Sequence, residues 1–266
     1  MSVTFVVVPQ WQGSPSSRAM RLADGAAAIR ADLPSTATRE VGVPLEAGDE
    51  QGTGVARFSS LQLIRERLRD ALDDITDTPI VIGGDCGVSS AAVAHAAERR
   101  GDLALIWFDA HPDLNSPESS PSGAYGGMVL RSIVDDGVVP SGRVLLAGER
   151  SWDPGEDEFA AAAGIRAFSV DDLADAATLV EAVTATGAES VYLHIDLDVL
   201  DPGEIAGLLD PEPFGLAAST LVATIRALRE RFALAGATIA AYAPASSAET
   251  VDDAPTILRI IGALAT

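Results

Sequence analysis

The stretch PIVIGGDCGVSSAAVAHAAERRGDLALIWFDA spans residues 79–110 and decides the fold class. Two short apolar runs, at 79–84 and 103–110, have the length and the bulky side chains that are typical of buried strands. The Ala-rich segment between them, residues 88–101, is typical of a helix that stops at a glycine. A strand, a helix and a second strand in this order predict a βαβ unit with parallel strands.

The same alternation continues along the chain in both directions. It predicts further strands at 4–8, 143–148, 191–198 and 238–243, and further helices at 59–74 and 219–236. No internal repeat and no linker divides the sequence. We therefore predict an α/β fold with three layers (α/β/α) and a mostly parallel sheet, formed by residues 1–266 as a single domain.

Composition limits the classes of partner. The chain is 47% hydrophobic, which is enough for a large core, and its net charge of −21 repels nucleic acid and anionic membrane surfaces. One cysteine cannot form an internal disulfide, and no stretch has the length of a signal peptide's apolar region or a membrane span. We expect a cytoplasmic protein that binds neither nucleic acid nor membrane.

Acidic and metal-ligating residues follow three of the predicted strands. The segments are GGDC at 83–86, DAHPDLN at 109–115 and DLDVLDP at 196–202. Ligands of open α/β sheets bind beyond the carboxyl ends of the strands, where these segments would meet. Several buried carboxylates cannot all stay ionised without a cation. Carboxylates together with imidazole favour Mn²⁺ or Mg²⁺, so the pattern predicts a divalent metal site.

The spacing of these residues suggests how they face the site. Asp196 and Asp198 lie two apart, so both would project from one face of a strand. Asp109, His111 and Asp113 would share a face if their strand continues that far. The other two histidines of the chain, at positions 95 and 194, are expected to pack in the core or to support ligands rather than to bind metal.

Cys86, the only cysteine, is open to three interpretations. It is buried filler, a catalytic nucleophile or a metal ligand. No histidine stands nearby in the sequence to act as its base, which disfavours the nucleophile. A packing role would leave the neighbouring carboxylates with less charge compensation, so we favour the metal ligand.

The three segments resemble the signature segments of the ureohydrolase family, which includes arginases and agmatinases. The resemblance covers roughly residues 80–265. It implies the arginase-like α/β/α fold with a parallel sheet, a binuclear manganese site, and hydrolysis of a guanidine-type C–N bond. In this family two metal ions share a water molecule, lower its pKa and present it to the guanidine carbon.

The resemblance also implies a role for each ligand. The implied ligand set is Cys86, Asp109, His111, Asp113, Asp196 and Asp198. Asp109 and Asp196 would bridge two ions, Cys86 and Asp113 would complete one shell, and His111 and Asp198 the other. Asp113 would in addition hold the attacking hydroxide by a hydrogen bond, which makes it the expected catalytic residue.

Three positions depart from the family pattern. Cys86 stands where the family has histidine, so we expect a weakened first site and one or two bound Mn²⁺ ions. Gly126 stands where the arginase branch has a proton-shuttle histidine, an aid often worth ~10²–10⁴-fold in rate. Ala241 stands where the family has a glutamate that pairs with the guanidinium. This alanine is either natural or an engineered change that inactivates the enzyme.

Other segments keep the family pattern at the amino-acid end of the substrate. ERSWDPGE, residues 149–156, resembles the arginase segment that binds the α-amino group through Asp153 and Glu156. Asn115 and Ser122 match residues that bind the α-carboxylate. On its own, Asp-Pro-Gly-Glu would be read as a turn. Together these matches imply a small L-α-amino acid as the substrate.

These changes favour Nω-hydroxy-L-arginine, hydrolysed to L-ornithine and hydroxyurea. Its N-hydroxyguanidine is less basic than guanidine and depends less on a counter-carboxylate. Within the family, the sequence most resembles the branch that hydrolyses this compound in D-cycloserine biosynthesis. The alternatives are an L-arginine amidinohydrolase (an arginase) and a non-catalytic, amino-acid-binding protein of the same fold. Family members usually assemble, so we expect a homo-oligomer.

Overall fold

The computed structural model describes residues 2–266 and contains one eight-stranded sheet in the order β2-β1-β3-β8-β7-β4-β5-β6. The strands are β1 Val3–Val8, β2 Thr38–Glu40, β3 Thr78–Gly83, β4 Leu103–Phe108, β5 Val144–Ala147, β6 Arg166–Phe168, β7 Ser190–Asp196 and β8 Ala233–Ala240. The helices are α1 Met20–Ala31, α2 Phe58–Asp73, α3 Ser89–Arg99, α4 Val129–Asp135, α5 Glu156–Ala163, α6 Ala176–Thr184, α7 Ala218–Arg231 and α8 Ser247–Ala265. Across residues 2–266, no helix combines the length and the apolar character that a membrane span requires.

The strands between the two edge strands β2 and β6 are largely buried on both faces, and their successive side chains alternate between two cores. In β4, Ile106 and Phe108 point into one core, and Leu105 and Trp107 into the other. Helices α1, α6, α7 and α8 cover the first core, and α2, α3, α4 and α5 cover the second. All neighbouring strands pair in parallel. The predicted three-layer α/β/α fold is confirmed.

The predicted boundary between the helix over 219–236 and the strand that follows it is wrong. The helix expected over 219–236 ends at Arg231, and β8 begins at Ala233 rather than at residue 238. Helical propensity alone would continue through the Ala- and Leu-containing segment 233–236. The backbone there instead pairs with β7, where Ala233 lies beside Ser190. Pairing with β7 overrides a helical propensity of a few tenths of a kcal/mol per residue.

The four central strands, β3, β8, β7 and β4, determine where a site can form. Their carboxyl ends lie at one edge of the sheet, as in other parallel sheets that bind ligands. GGDC follows β3, DAHPDLN follows β4, and DLDVLDP begins at the end of β7. Segments far apart in the sequence therefore meet at this edge.

The turn after β3 depends on close contact between two backbone segments. Gly84 N–H donates to the carbonyl of Val8 at 3.1 Å, and Asp85 N–H donates to the carbonyl of Gln10 at 2.9 Å. A Cβ on Gly84 would overlap the carbonyl oxygen of Gln10. Only glycine lets the loop after β1 lie against the turn that carries Cys86.

We predict that Gly84→Ala lowers the free energy of unfolding by roughly 1–3 kcal/mol, because the backbone of Gln10 has to move away. Denaturant titration of the purified protein measures this change. Gly101→Ala is the matched control, since a Cβ there meets no atom within 4 Å and the stability should hardly change. Equal stability of the two variants would contradict the close contact.

Candidate metal site

A cavity of about 330 Å³ opens at the carboxyl edge of the central strands. Its lining includes all the predicted site residues except Asp109, which lies beneath the surface: Cys86, His111, Asp113, Asn115, Ser122, Gly126, Asp153, Glu156, Asp196, Asp198 and Ala241. Asp210 and Glu212 also line the cavity, and no sequence signal pointed to them. None of the described lining residues is Lys or Arg. The cavity is therefore strongly acidic and favours cationic ligands.

The segment after β4 reaches the site through a loop. The strand predicted over 103–110 ends at Phe108, so the condition under which Asp109, His111 and Asp113 would share a strand face is not met. Asp109 instead accepts a hydrogen bond from the N–H of His111 at 2.7 Å, which turns the chain. Asp113 has a left-handed backbone with φ of 52°, which an aspartate tolerates better than most residues. The loop directs all three side chains to the site.

The segment after β7 forms a similar turn. Asp196 ends the strand, and its Oδ1 accepts a hydrogen bond from the N–H of Asp198 at 2.8 Å. Asp198 lies in the single 3-10 turn Leu197–Val199 rather than in the strand. Its Oδ1 accepts a hydrogen bond from the N–H of Ala110 at 3.0 Å. This bond joins the β4 and β7 segments directly.

Two groups of side chains have ligand atoms within 4.8 Å of one another. One group is Cys86, Asp109, Asp113 and His194, and the other is Asp109, His111 and Asp198. Asp109 belongs to both, as a bridging ligand would. Asp196 is in neither group, but its Oδ2 accepts a hydrogen bond from the thiol of Cys86 at 2.9 Å. The two groups contain five of the six predicted ligands, with His194 in addition.

Burial and mutual repulsion perturb the titration of these groups. Burial, together with the charge of Asp198, raises the pKa of Asp109 to about 7. Burial and the neighbouring carboxylates also raise the pKa of Asp113 and of Asp196. Burial acts to lower the pKa of His111, but Asp109 and Asp198 outweigh it and raise the pKa to about 12. Without a cation, these shifts favour the protonated forms of the cluster.

The donor set fits divalent cations. Oδ2 of Asp113 is buried and has no hydrogen-bond partner in the described structure, which is costly for a carboxylate unless a cation binds it. Burial, with the nearby charges of Asp196, Asp113 and Asp109, raises the pKa of the Cys86 thiol. An ion bound beside the thiol would reverse these shifts, because it stabilises the deprotonated ligands.

The two histidines expected outside the ligand set behave differently. His95 lies on α3, away from the cavity, with Nδ1 3.3 Å from the carboxylate of Asp73. His194 packs in the core, as expected, but one of its ring nitrogens also belongs to the first ligand group. Burial lowers its pKa to about 3, so its ring is neutral. The missed signal was parity, because His194 precedes Asp196 by two residues on β7 and shares its face.

The residues expected to bind the amino-acid end lie at the rim and are joined to one another. Asn115 Nδ2 donates to Asp153 at 2.8 Å. Glu156 is buried, and its two oxygens accept hydrogen bonds from the N–H groups of Leu114 and Asp153, each at 2.8 Å. Glu156 thus positions the rim and the metal loop, while Asp153 itself is exposed. Ser122 is also exposed in the lining.

The two altered positions also face the cavity. Gly126 donates its N–H to the carbonyl of Gly13 at 2.9 Å, and a Cβ on Gly126 would lie 3.2 Å from that oxygen. A histidine there would require the loop at Gly13 to shift slightly. Ala241 follows β8 with φ of 66° and donates its N–H to the carbonyl of Gly84 at 2.7 Å. Neither position provides a functional side-chain group.

We predict that the apparent affinity for Mn²⁺ rises as the pH increases from about 5 to about 8, because binding displaces protons. The raised pKa of Asp109, about 7, and that of His111, about 12, mean that these ligands hold protons that must leave. Each displaced proton adds up to about tenfold in affinity per pH unit. Titration calorimetry in two buffers of different protonation enthalpy measures the affinity for Mn²⁺ and the number of protons released. An affinity that does not change with pH, measured without proton release, would contradict the prediction that Mn²⁺ displaces protons from these ligands.

The chain matches known proteins over most of its length. The family model described as Arginase family matches residues 16–263. The arginase of Staphylococcus aureus (strain COL) is 32% identical over 184 residues, covering 62% of this chain and 61% of that protein. The N(omega)-hydroxy-L-arginine amidinohydrolase of Streptomyces lavendulae is 31% identical over 181 residues, covering 64% and 61%. The matched region thus spans about three fifths of the length of these relatives.

Solved structures show the same fold. The arginase of Bacillus caldovelox superposes with a TM-score of 0.86 at 23% identity, covering 98% of this chain and 97% of that one. The arginase of Entamoeba histolytica, solved in complex with L-ornithine, gives 0.85 at 23% identity, covering 98% and 97%. The family match includes nearly every residue of the site, and the fold is shared with solved arginases. The chain belongs to the arginase family.

Proposed function

We propose that this protein is a manganese-dependent amidinohydrolase that cleaves Nω-hydroxy-L-arginine to L-ornithine and hydroxyurea. The observation that carries the proposal is the pair of ligand groups that share Asp109 beside an acidic cavity. Support comes from relatives whose names are arginase and N(omega)-hydroxy-L-arginine amidinohydrolase. The residues at the rim favour an α-amino acid.

The residues proposed to hold manganese fall into two sets. Cys86 and Asp113 would serve one ion and His111 and Asp198 the other, with Asp109 and Asp196 between them. When bound, manganese would act as a Lewis acid that makes water a stronger nucleophile toward the guanidine carbon. The thiol of Cys86 is a softer donor than Mn²⁺ prefers, so we propose one or two bound ions, with the Cys86 side filling last.

Asp113 is the proposed catalytic residue. Its Oδ2 is buried, faces the cavity and has no hydrogen-bond partner in the described structure. This oxygen can hold the attacking water by a hydrogen bond and accept its proton. The water oxygen bonds to the guanidine carbon, and the second proton of the water passes to the imine nitrogen of the substrate as the carbonyl of hydroxyurea forms. The bond from that carbon to the ornithine nitrogen breaks, and the proton accepted by Asp113 passes to the leaving amine. Gly126 has no side chain that could deliver it instead.

The rim supplies recognition of the amino-acid end. Asp153 and Glu156 would attract the α-ammonium group, and Asn115 and Ser122 would donate to the α-carboxylate. The hydrogen bonds between Asn115, Asp153 and Glu156 hold this rim in place before a substrate arrives, which reduces the entropy cost of binding. Agmatine lacks the carboxylate and would not use Asn115 and Ser122.

The absence of a carboxylate at Ala241 favours the hydroxylated substrate. A protonated guanidinium requires a counter-charge where it is held, whereas the less basic N-hydroxyguanidine is more often neutral. Ala241 presents only a methyl group to the cavity. Asp210 and Glu212 also line this cavity. L-Arginine hydrolysis is the alternative, because several relatives are named arginase. We further propose that the protein acts in antibiotic biosynthesis, forms a homo-oligomer and is located in the cytoplasm.

We predict that the Mn²⁺-loaded protein releases ornithine faster from Nω-hydroxy-L-arginine than from L-arginine at equal concentrations. The physical reason is that the site has no carboxylate at residue 241 to hold a full guanidinium charge. Ala241→Glu should shift the ratio of kcat/KM values toward L-arginine by about tenfold or more, the effect of one charge-assisted contact.

Ala241→Gln is the matched control, since it has the size of glutamate without the charge and should leave the ratio nearly unchanged. A clear preference of the native chain for L-arginine would make it an arginase. Absence of turnover with both substrates in the native chain and in Ala241→Glu would favour the non-catalytic binding protein.

We predict that Asp113→Asn lowers kcat by about 10²–10⁴-fold, because the amide cannot accept the proton of the attacking water. Steady-state kinetics with metal analysis of the same sample separate this effect from loss of the ion. Asp210→Asn is the control, as an exposed carboxylate of the cavity outside both ligand groups. Full activity of Asp113→Asn at normal metal content would contradict the assigned role.

A further inference from the structure

His194 is held in one orientation by its neighbours. It lies on β7, is fully buried, and stacks on Trp107 with ring centroids 3.5 Å apart and planes 12° from parallel. Nδ1 forms a hydrogen bond with the hydroxyl of Ser89 at 2.8 Å. A stacked, hydrogen-bonded ring inside a close-packed core has little freedom to rotate. The direction of its second nitrogen is therefore defined by the fold.

That second nitrogen has no partner. Nε2 of His194 is buried and makes no hydrogen bond in the described structure, and it lies 3.9 Å from Oδ2 of Asp109. A buried polar atom without a partner costs about 1–3 kcal/mol, so native proteins seldom keep one without a reason. Nδ1–H donating to Ser89 would leave Nε2 with a free lone pair, which is the arrangement of a metal-binding imidazole.

The free nitrogen faces the ligands of the first ion. The ligand atoms of Cys86, Asp109, Asp113 and His194 all lie within 4.8 Å of one another. Opposite ligands of one ion with typical bond lengths would be about 4.4 Å apart, so small shifts would bring all four onto it. Two of these four residues have an unpartnered ligand atom in the structure as described, Oδ2 in Asp113 and Nε2 in His194. One cation would satisfy both.

We propose that His194 Nε2 binds the same metal ion as Cys86 and supplies the imidazole that residue 86 does not provide. The inference rests on the metal dependence proposed above. Residue 86 follows β3, whereas His194 lies within β7, so the imidazole reaches the ion from a different strand. A thiolate and an imidazole together favour a borderline ion such as Co²⁺ or Zn²⁺ more than the His111 side does.

The number of coordinated histidines in the native chain tests the proposal. The chain has only three histidines, at positions 95, 111 and 194. In the protein loaded with two equivalents of Co²⁺, each bound imidazole shows one exchangeable, hyperfine-shifted N–H signal in the proton NMR spectrum. We expect two such signals, from His111 and His194. A single signal from a fully loaded protein would overturn the proposal, and this measurement needs no variant to fold.

Substitution assigns the second signal to His194. His194→Phe keeps a ring against Trp107 and removes both nitrogens. This substitution should abolish one N–H signal. It should also weaken Co²⁺ binding by at least about 10-fold at the Cys86 site, which is identified by its thiolate charge-transfer band. His95→Phe, a matched change of a buried histidine outside the site, should leave both readouts unchanged. An unchanged affinity of the thiolate site in folded His194→Phe would reduce His194 to a packing role.

The experiment separates this inference from the proposed function. If neither site binds Co²⁺ or Mn²⁺, the metal-dependent function fails and the inference fails with it. If both ions bind but only His111 is coordinated, the inference alone fails and the amidinohydrolase proposal stands. Turnover is not needed for either conclusion, because both are read from the bound metal.

Discussion

The burial of four carboxylates at one edge of the sheet is the constraint on which the rest of the site depends. Asp109, Asp113, Asp196 and Asp198 are each at most 5% exposed, and the adjoining cavity has no Lys or Arg among its described lining residues. Such a cluster is unfavourable unless protons or cations neutralise it. Burial and mutual repulsion raise the pKa of Asp109, Asp113 and Asp196, which favours their protonated forms when no cation is bound.

The fold positions this cluster by directing one backbone N–H at one oxygen of each of Asp109, Asp196 and Asp198. The N–H groups of His111 and Asp198 bind Asp109 and Asp196. The N–H of Ala110 binds Asp198 in the same way. These bonds hold the side chains in place without neutralising their charge. The site is thus preorganised for cations and remains electrostatically unfavourable without them, which ties metal binding to the stability of the protein.

Specificity depends on what the cavity lacks as much as on what it contains. The rim keeps hydrogen-bonded groups suited to an α-amino acid, whereas Gly126 and Ala241 offer no functional side chain at the reacting end. On the proposed function, these absences suit a substrate with lower basicity than arginine. If His194 binds the first ion, it supplies the imidazole that residue 86 does not provide. The thiolate of Cys86 then makes the donors of this ion softer.

The sequence by itself determined the fold class and indicated most of the side chains that meet at the candidate metal site. Apolar runs of strand length alternating with helical segments leave few alternatives to a parallel sheet, and parallel strands bring their carboxyl ends to one edge. The helix predicted over 219–236 ends early because pairing with β7 outweighs the helical preference of residues 233–235.

Only the tertiary structure decided which side chains meet. Cys86 and Asp196 are 110 residues apart in sequence, yet the thiol and the carboxylate lie 2.9 Å apart because β3 and β7 flank β8. For His194, the sequence showed only that it shares the face of Asp196 on one strand, which a core histidine could also do. The stacking on Trp107 and the hydrogen bond to Ser89 turn Nε2 toward the ligands. Local sequence specifies which donors exist, while long-range packing specifies the direction in which each lone pair points.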